Sequence, residues 1–293
     1  MAKGRELRGR IKSVENTRKI TRTMEMVAAS KLKRAQDRVV AARPYAGALA
    51  DVIADLYSPE LAERFPLLRQ PATVKRAAVL LLTSNRGLAG AFNANLIKEA
   101  RATIGRLEGE GATVDLHVVG RKGLGFFRYL GRPIASSRTD LSDAPTPDDA
   151  RQLVDGVMGA FAARELDAVY VVGARFKSAL TAPPESQMIL PVTPPERKAA
   201  DGKGTQQRDY ILSPSAEAIL TELLPLYVRN AVYRAMVETV AAEQGARRTA
   251  MKSATDNAND MITTLRRTFN RARQAQITQE IAEIVGGAAA LEG

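Results

Sequence analysis

The chain has 293 residues and 45% hydrophobic content, enough for a sizeable core. It contains no cysteine, no tryptophan and a single histidine, His117, which excludes disulfides, thiolate metal sites and thiol redox control and leaves almost nothing for a catalytic triad or a histidine-based metal centre. A formal net charge of +11 points to an anionic partner, whether nucleic acid, anionic lipid or an acidic protein surface.

Residues 3 to about 57 read as one long helix. Leu7, Ile11, Val14, Thr17, Thr21, Met24, Ala28, Leu32, Ala35, Val39 and Ala42 recur at a mean spacing of 3.5, the coiled-coil period. The seam is slim, with Thr and Ala where a strong dimer would carry Leu, and the same periodicity also fits a simple core-facing stripe. Pro44 predicts a kink, or a first helix that ends around Arg43. Residues 1–43 hold thirteen Lys/Arg and four Asp/Glu, so most of the net charge is concentrated here.

Residues 75–195 change character. Buried-strand runs occur at 76–82, 116–120 and 167–172, with a fourth expected at 188–192. Helical patterns lie between them at Ala91–Leu107, Lys122–Leu130 and Thr146–Arg164. This alternation predicts an α/β domain with a mainly parallel sheet, inserted between two long helices. The polar, Gly-rich run Asp201–Arg208 predicts a loop or hairpin. After it, Ser213 and Pro214 are placed to cap a C-terminal helix running from about Ser215 to Val285.

Candidate sites are sparse. ThrSerAsnArgGlyLeuAlaGlyAlaPheAsn (83–93) follows the first strand and precedes a helix, the place where phosphates often sit. It lacks the Gly-Lys-Ser/Thr ending and the dinucleotide glycine spacing, so a tight turn is the better reading. GlyArgLysGlyLeuGly (120–125) offers two cations after a strand, or an ordinary turn. Asp148 and Asp149 suit a helix N-terminus, and Asp256 and Asp260 suit ion pairs with neighbouring basic residues. No set of residues amounts to an active site, and no cofactor or metal is implied. Two basic sets, one around Arg8–Arg34 and one around Arg247–Arg273, fit a shaft inside an acidic or mixed-charge sleeve. Nucleic acid is the weaker reading, because no aromatic residues interleave with the cations. A free-standing basic coiled coil and a nucleotide-dependent enzyme on the α/β domain remain as alternatives.

The run IleLysSerValGluAsnThrArgLysIleThrArgThrMetGluMetValAlaAlaSerLysLeu (11–32) resembles the γ subunit of the bacterial rotary ATP synthase. So do the C-terminal run from Met251 to Leu291, with IleThrGlnGlu and GluIleValGlyGlyAla (277–288), and the glycine turn after the first strand. The resemblance covers the whole chain. It implies an N-terminal shaft helix with its exit segment (1–74), a Rossmann-like base domain (75–200), and a foot loop with the C-terminal shaft helix (201–293). The two terminal helices would form an antiparallel, left-handed coiled coil: a non-catalytic rotor shaft of the proton-translocating ATP synthase that couples rotation of the c ring to the catalytic β subunits. The implied partners are the α and β subunits in a hexameric ring, the ε and δ subunits and the c-subunit ring, with no nucleic acid. No apolar run reaches the ~20 residues needed to cross a bilayer, which predicts a chain that is soluble and cytoplasmic or peripheral to a membrane; the resemblance implies the peripheral location, at the cytoplasmic face of the bacterial inner membrane. The resemblance also carries over contact positions. Arg273, Gln274, Thr278 and Glu280 fall where the shaft meets an acidic loop of β. Met24 and Arg247 fall opposite an acidic β lever, and Tyr210 falls in the foot near the c ring.

Overall fold

The computed structural model describes residues 2–57, 64–193 and 215–291, with side chains described for residues 5–57, 64–193 and 215–287. Helix α1 spans Ala2–Leu56 and does not end at Arg43; Pro44 lies inside it. The proline removes one N–H from the ladder on an exposed turn, where water can satisfy the carbonyl left without its donor. The remaining elements are β1 (Arg76–Leu82), α2 (Phe92–Gly109), β2 (Thr113–Val119), α3 (Arg121–Tyr129), β3 (Ser136–Arg138), α4 (Pro147–Ala162), β4 (Ala168–Ala174), β5 (Pro184–Leu190) and α5 (Ala216–Leu291). A short 3-10 turn at Pro66–Leu68 precedes β1.

The sheet order is β3-β2-β1-β4-β5. The β1, β2, β3 and β4 strands run parallel, and β5 pairs antiparallel with β4. The chain therefore holds a mixed, mostly parallel sheet between long terminal helices. The strand expected at 188–192 starts earlier, at Pro184, and closes the edge in the opposite direction. The three-residue β3 carries no apolar run that could announce it.

By internal contacts the chain divides into two compact units, Ser30–Ala246 and Met1–Ala29 with Arg247–Gly293. In the larger unit β1 is buried along Ala77–Leu82. Its alternate residues feed two separate cores, as expected of a central strand covered on both faces. Ala78, Leu80 and Leu82 join Val154 and Phe161 of α4 and Leu220, Leu224 and Val228 of α5. Ala77, Val79 and Leu81 join Leu96, Ala100 and Leu107 of α2, with Leu32, Ala35 and Val39 of α1.

Helix ends follow local chemistry. Thr146 and Asp149 form a reciprocal capping box at the start of α4, so Asp149 caps and Asp148 complements the helix dipole, as their positions predict. At the start of α5 the Ser215 hydroxyl oxygen accepts the Ala218 N–H at 3.2 Å. Ser213, Pro214 and the Asp201–Arg208 run lie outside the described residues.

Candidate functional site

In the smaller unit, α1 and α5 pair through side chains whose numbering runs in opposite senses. Arg8 lies over the Phe269 ring at 5.2 Å, Glu15 accepts from Arg266 at 2.6 Å, Arg18 donates to Asn259 at 3.2 Å, and the Thr21 and Thr255 hydroxyls meet at 2.8 Å. As one number rises the other falls, so the helices are antiparallel. The middle of the seam is made of small residues: Thr21, Ala28, Thr255 and Ala258 are buried there, with the larger Leu7, Met251 and Ile262 buried beside them. Small seam residues let two helix backbones approach closely, giving a thin two-helix rod.

The basic sets are only partly free. Lys33 pairs with Asp37, Lys252 with Asp256 as its spacing predicts, and Lys31 with Asp143. Toward the end of α5 the character changes. Ile277, Ile281, Ile284 and Val285 recur at helical spacing and are all exposed. Four large aliphatic residues on one exposed helix surface are unusual unless a partner covers them.

Among the contact residues expected from sequence, Arg273, Gln274, Thr278 and Glu280 are exposed on α5, and Glu280 accepts from Gln276 at 2.8 Å. Met24 is half-buried on α1. Arg247 is buried, at 8% exposure. Tyr210 lies outside the described residues.

The glycine turn after β1 is closed by its own chain. The Thr83 hydroxyl donates to the Val119 carbonyl at 2.7 Å and accepts the Gly123 N–H at 2.9 Å. Asn85 Oδ1 accepts the Arg121 N–H, the Ser84 carbonyl accepts the Lys122 N–H, and Asn93 Oδ1 accepts the Ser84 N–H. The first three N–H groups of α3, which a phosphate would need, are therefore engaged internally. His117 shares a 2.7 Å hydrogen bond with Ser136 Oγ across β2 and β3. Burial pushes its imidazole below the usual histidine range, against the opposing pull of Asp115. Among the described residues, no group of three or more His, Asp or Glu could hold a metal ion, and no helix is long and apolar enough to cross a membrane.

The family model described as ATP synthase matches residues 3–291. A curated relative, the ATP synthase gamma chain of Gemmatimonas aurantiaca, is 66% identical over 293 residues, covering all of both chains. The chain belongs to the ATP synthase gamma chain family. The gamma chain of Frankia casuarinae is 44% identical over 291 residues, covering 98% of this chain and 97% of its own. Among solved structures, the central stalk and c-ring of the Tetrahymena thermophila mitochondrial ATP synthase matches with a TM-score of 0.61 at 25% identity, over 80% of this chain and 99% of that one. A chain of the Euglena gracilis mitochondrial enzyme matches in fold, with a TM-score of 0.70 at 19% identity, over 99% of this chain and 95% of that one. As a gamma chain it is a non-catalytic subunit, and this accounts for a chain whose longest specific motifs lie in its two terminal helices.

Sequence reasoning missed Thr255, whose hydroxyl completes the buried contact with Thr21, although Thr21 itself falls on the α1 stripe. It also missed Gln244, buried at 1% exposure among residues that read as an ordinary helix.

Proposed function

We infer that this chain is the rotor of the central stalk in a proton-translocating ATP synthase, coupling rotation of the c ring to conformational change at the catalytic subunits. The observation that carries this is the thin antiparallel helix pair, joined to a gamma-chain match that spans the whole length. The exposed aliphatic residues at 277–285 supply a bearing surface for the ring of α and β subunits around the shaft. Residues 75–200 act as the base domain, against the ε subunit and the c ring, with δ in the same complex. The chain resides peripherally at the cytoplasmic face of the inner membrane, held there by the complex.

Coupling of this kind needs no chemistry in the shaft. Each rotor orientation offers different contacts to each β subunit, and the ring populates the conformation that the contact favours. Met24 on α1, Arg247, and Arg273, Gln274, Thr278 and Glu280 on α5 are the proposed contacts, with Tyr210 at the foot. Arg and Gln there are suited to charge-assisted hydrogen bonds with β carboxylates.

The test is assembly of this chain with α and β subunits and the membrane sector in vesicles, followed by ATP-driven proton pumping. The wild-type chain should restore pumping. Met24→Lys places a cation opposite the proposed β carboxylates and should lower the protons moved per ATP hydrolysed. An unchanged ratio in the assembled variant would overturn the Met24 contact, and failure of the wild-type chain to assemble would overturn the rotor assignment.

A further inference from the structure

The larger unit contains a cleft of about 610 Å³ at the carboxyl ends of the parallel strands, well inside the size range of small-molecule sites. Its walls are the segments that follow β1, β2 and β3, with one stretch each of α1 and α5. Strand connections reverse at β1: the chain leaves β1 toward β2 and β3, then returns to place β4 on the other side. The carboxyl end of such a strand is where open α/β sheets bind ligands.

Two independent features mark this cleft as built for a ligand. The first is charge. Lys31, Arg34, Arg38, Arg86 and Arg121 line it against three carboxylates, Asp140, Asp143 and Glu243. Lys31 is paired with Asp143, and Arg38 donates to the Asp143 carbonyl. Asp140 is held by Arg138. Arg34, Arg86 and Arg121 have exposed side chains and no partner among the described residues. The second feature is Gln244. Its side chain lines the cleft at 1% exposure, and neither its Oε1 nor its Nε2 has a hydrogen-bond partner. A buried amide with both ends unpaired costs stability and is uncommon without a reason.

An amide offers an adjacent donor and acceptor in one plane. One planar edge that matches it in two hydrogen bonds is the N6 and N7 edge of adenine, the pairing a glutamine amide makes with that base. Guanidinium groups at the mouth match phosphate oxygens. We propose that this cleft binds a purine nucleoside phosphate, with Gln244 reading the base and Arg34, Arg86 and Arg121 holding the phosphates. The backbone N–H groups of α3 play no part, since the β1 turn already engages them. Gln244 lines the cleft at only 1% exposure, so binding includes a side-chain rotation that brings its amide edge to the ligand. The titration uses the free chain, so it reads this site separately from the rotor assignment.

The experiment is calorimetric titration of the full-length chain with ATP in the presence of a chelator, compared with tripolyphosphate and with adenosine. One saturable ATP site is expected, with tripolyphosphate weaker. Arg34→Ala, Arg86→Ala and Arg121→Ala, all at exposed positions, should each weaken ATP by about tenfold. Gln244→Leu removes the unpaired amide, so it should raise the melting temperature of the free chain while bringing ATP down to the level of tripolyphosphate. Absence of saturable binding at millimolar ATP would overturn the site. So would ATP binding that all four variants leave unchanged, which would place the nucleotide on the basic helices instead. Equal binding of tripolyphosphate and ATP by the wild-type chain would overturn the base-reading role of Gln244.

Discussion

The hydroxyl oxygens of Thr21 and Thr255 lie 2.8 Å apart between α1 and α5, and both residues are buried. Each hydroxyl also approaches its own helix, Thr21 at the Arg18 carbonyl and Thr255 at the Met251 carbonyl. Two protons thus serve three contacts, and the pair acts as a small polar network inside a thin apolar seam. Thr21→Val or Thr255→Val alone removes the contact between the helices and leaves the other hydroxyl bonded only to its own helix; each should cost about 1 kcal/mol, whereas the double Val variant should cost less than the sum. Denaturant melts of the four proteins read this directly, and additive effects would show that the two hydroxyls are uncoupled.

Gly120 follows β2 with φ +94, and a Cβ placed there would sit 2.1 Å from the Thr83 carbonyl oxygen. That carbonyl is backbone, in the turn that receives the N-terminal groups of α3, and cannot step aside. Gly120→Ala should therefore destabilise the fold by about 2 kcal/mol or more. Gly125, in the middle of α3, meets nothing within 4 Å of such a Cβ, so Gly125→Ala should be neutral or stabilising by about 0.5–1 kcal/mol. Thermal melts of both variants give the comparison, and equal effects would remove the steric argument.

Much of this architecture is legible in the sequence because burial writes a pattern. Ala77–Leu82 reads as a central strand since both its faces are covered, and Thr146–Asp149 reads as a helix start since capping needs those side chains. Of the α1 stripe, Leu7, Thr21, Ala28, Leu32, Ala35 and Val39 are buried as their spacing predicts, Ile11, Val14, Met24 and Ala42 are half-buried, and Thr17 is exposed. What stayed hidden depends on neighbours distant in sequence. Ser136–Arg138 becomes a strand only because β2 lies beside it, and Pro44 is carried within a helix whose buried residues extend to Leu49 and Ile53 beyond it. Gln244 is an ordinary helical residue until the sheet ends are assembled around it.

His117 sets a pH dependence. Burial lowers its imidazole pKa from the ordinary value, and Asp115 opposes that only in part. The unfolded chain then binds a proton more readily than the folded one. Stability from this group is complete above the unfolded pKa of about 6.5 and falls as the pH drops through that value toward the lowered folded pKa. His117→Asn removes the titrating ring, so its stability should change less than that of the wild type from pH 7.5 to 5.5. Denaturant melts across that range test it, and parallel pH profiles would show that other groups carry the effect.

Arg273 and Gln274 stand side by side on α5, exposed and without a partner among the described residues. Glu280, one helical stretch onward, is already held by Gln276. Two extended polar side chains with no bond to their own chain contribute little to its stability, so Arg273→Ala with Gln274→Ala should leave the melting transition within about 0.5 kcal/mol of wild type. If they bond to carboxylates of β in the turning enzyme, removing them weakens the contact through which rotation is delivered. ATP turnover in the assembled complex should then fall severalfold, while nucleotide binding to the catalytic subunits stays unchanged. Steady-state hydrolysis, measured beside nucleotide binding at equilibrium, separates the two effects. Full turnover by a stable double variant would move the working contact elsewhere on the shaft, with Thr278 and the exposed Ile277 and Ile281 the next positions to replace.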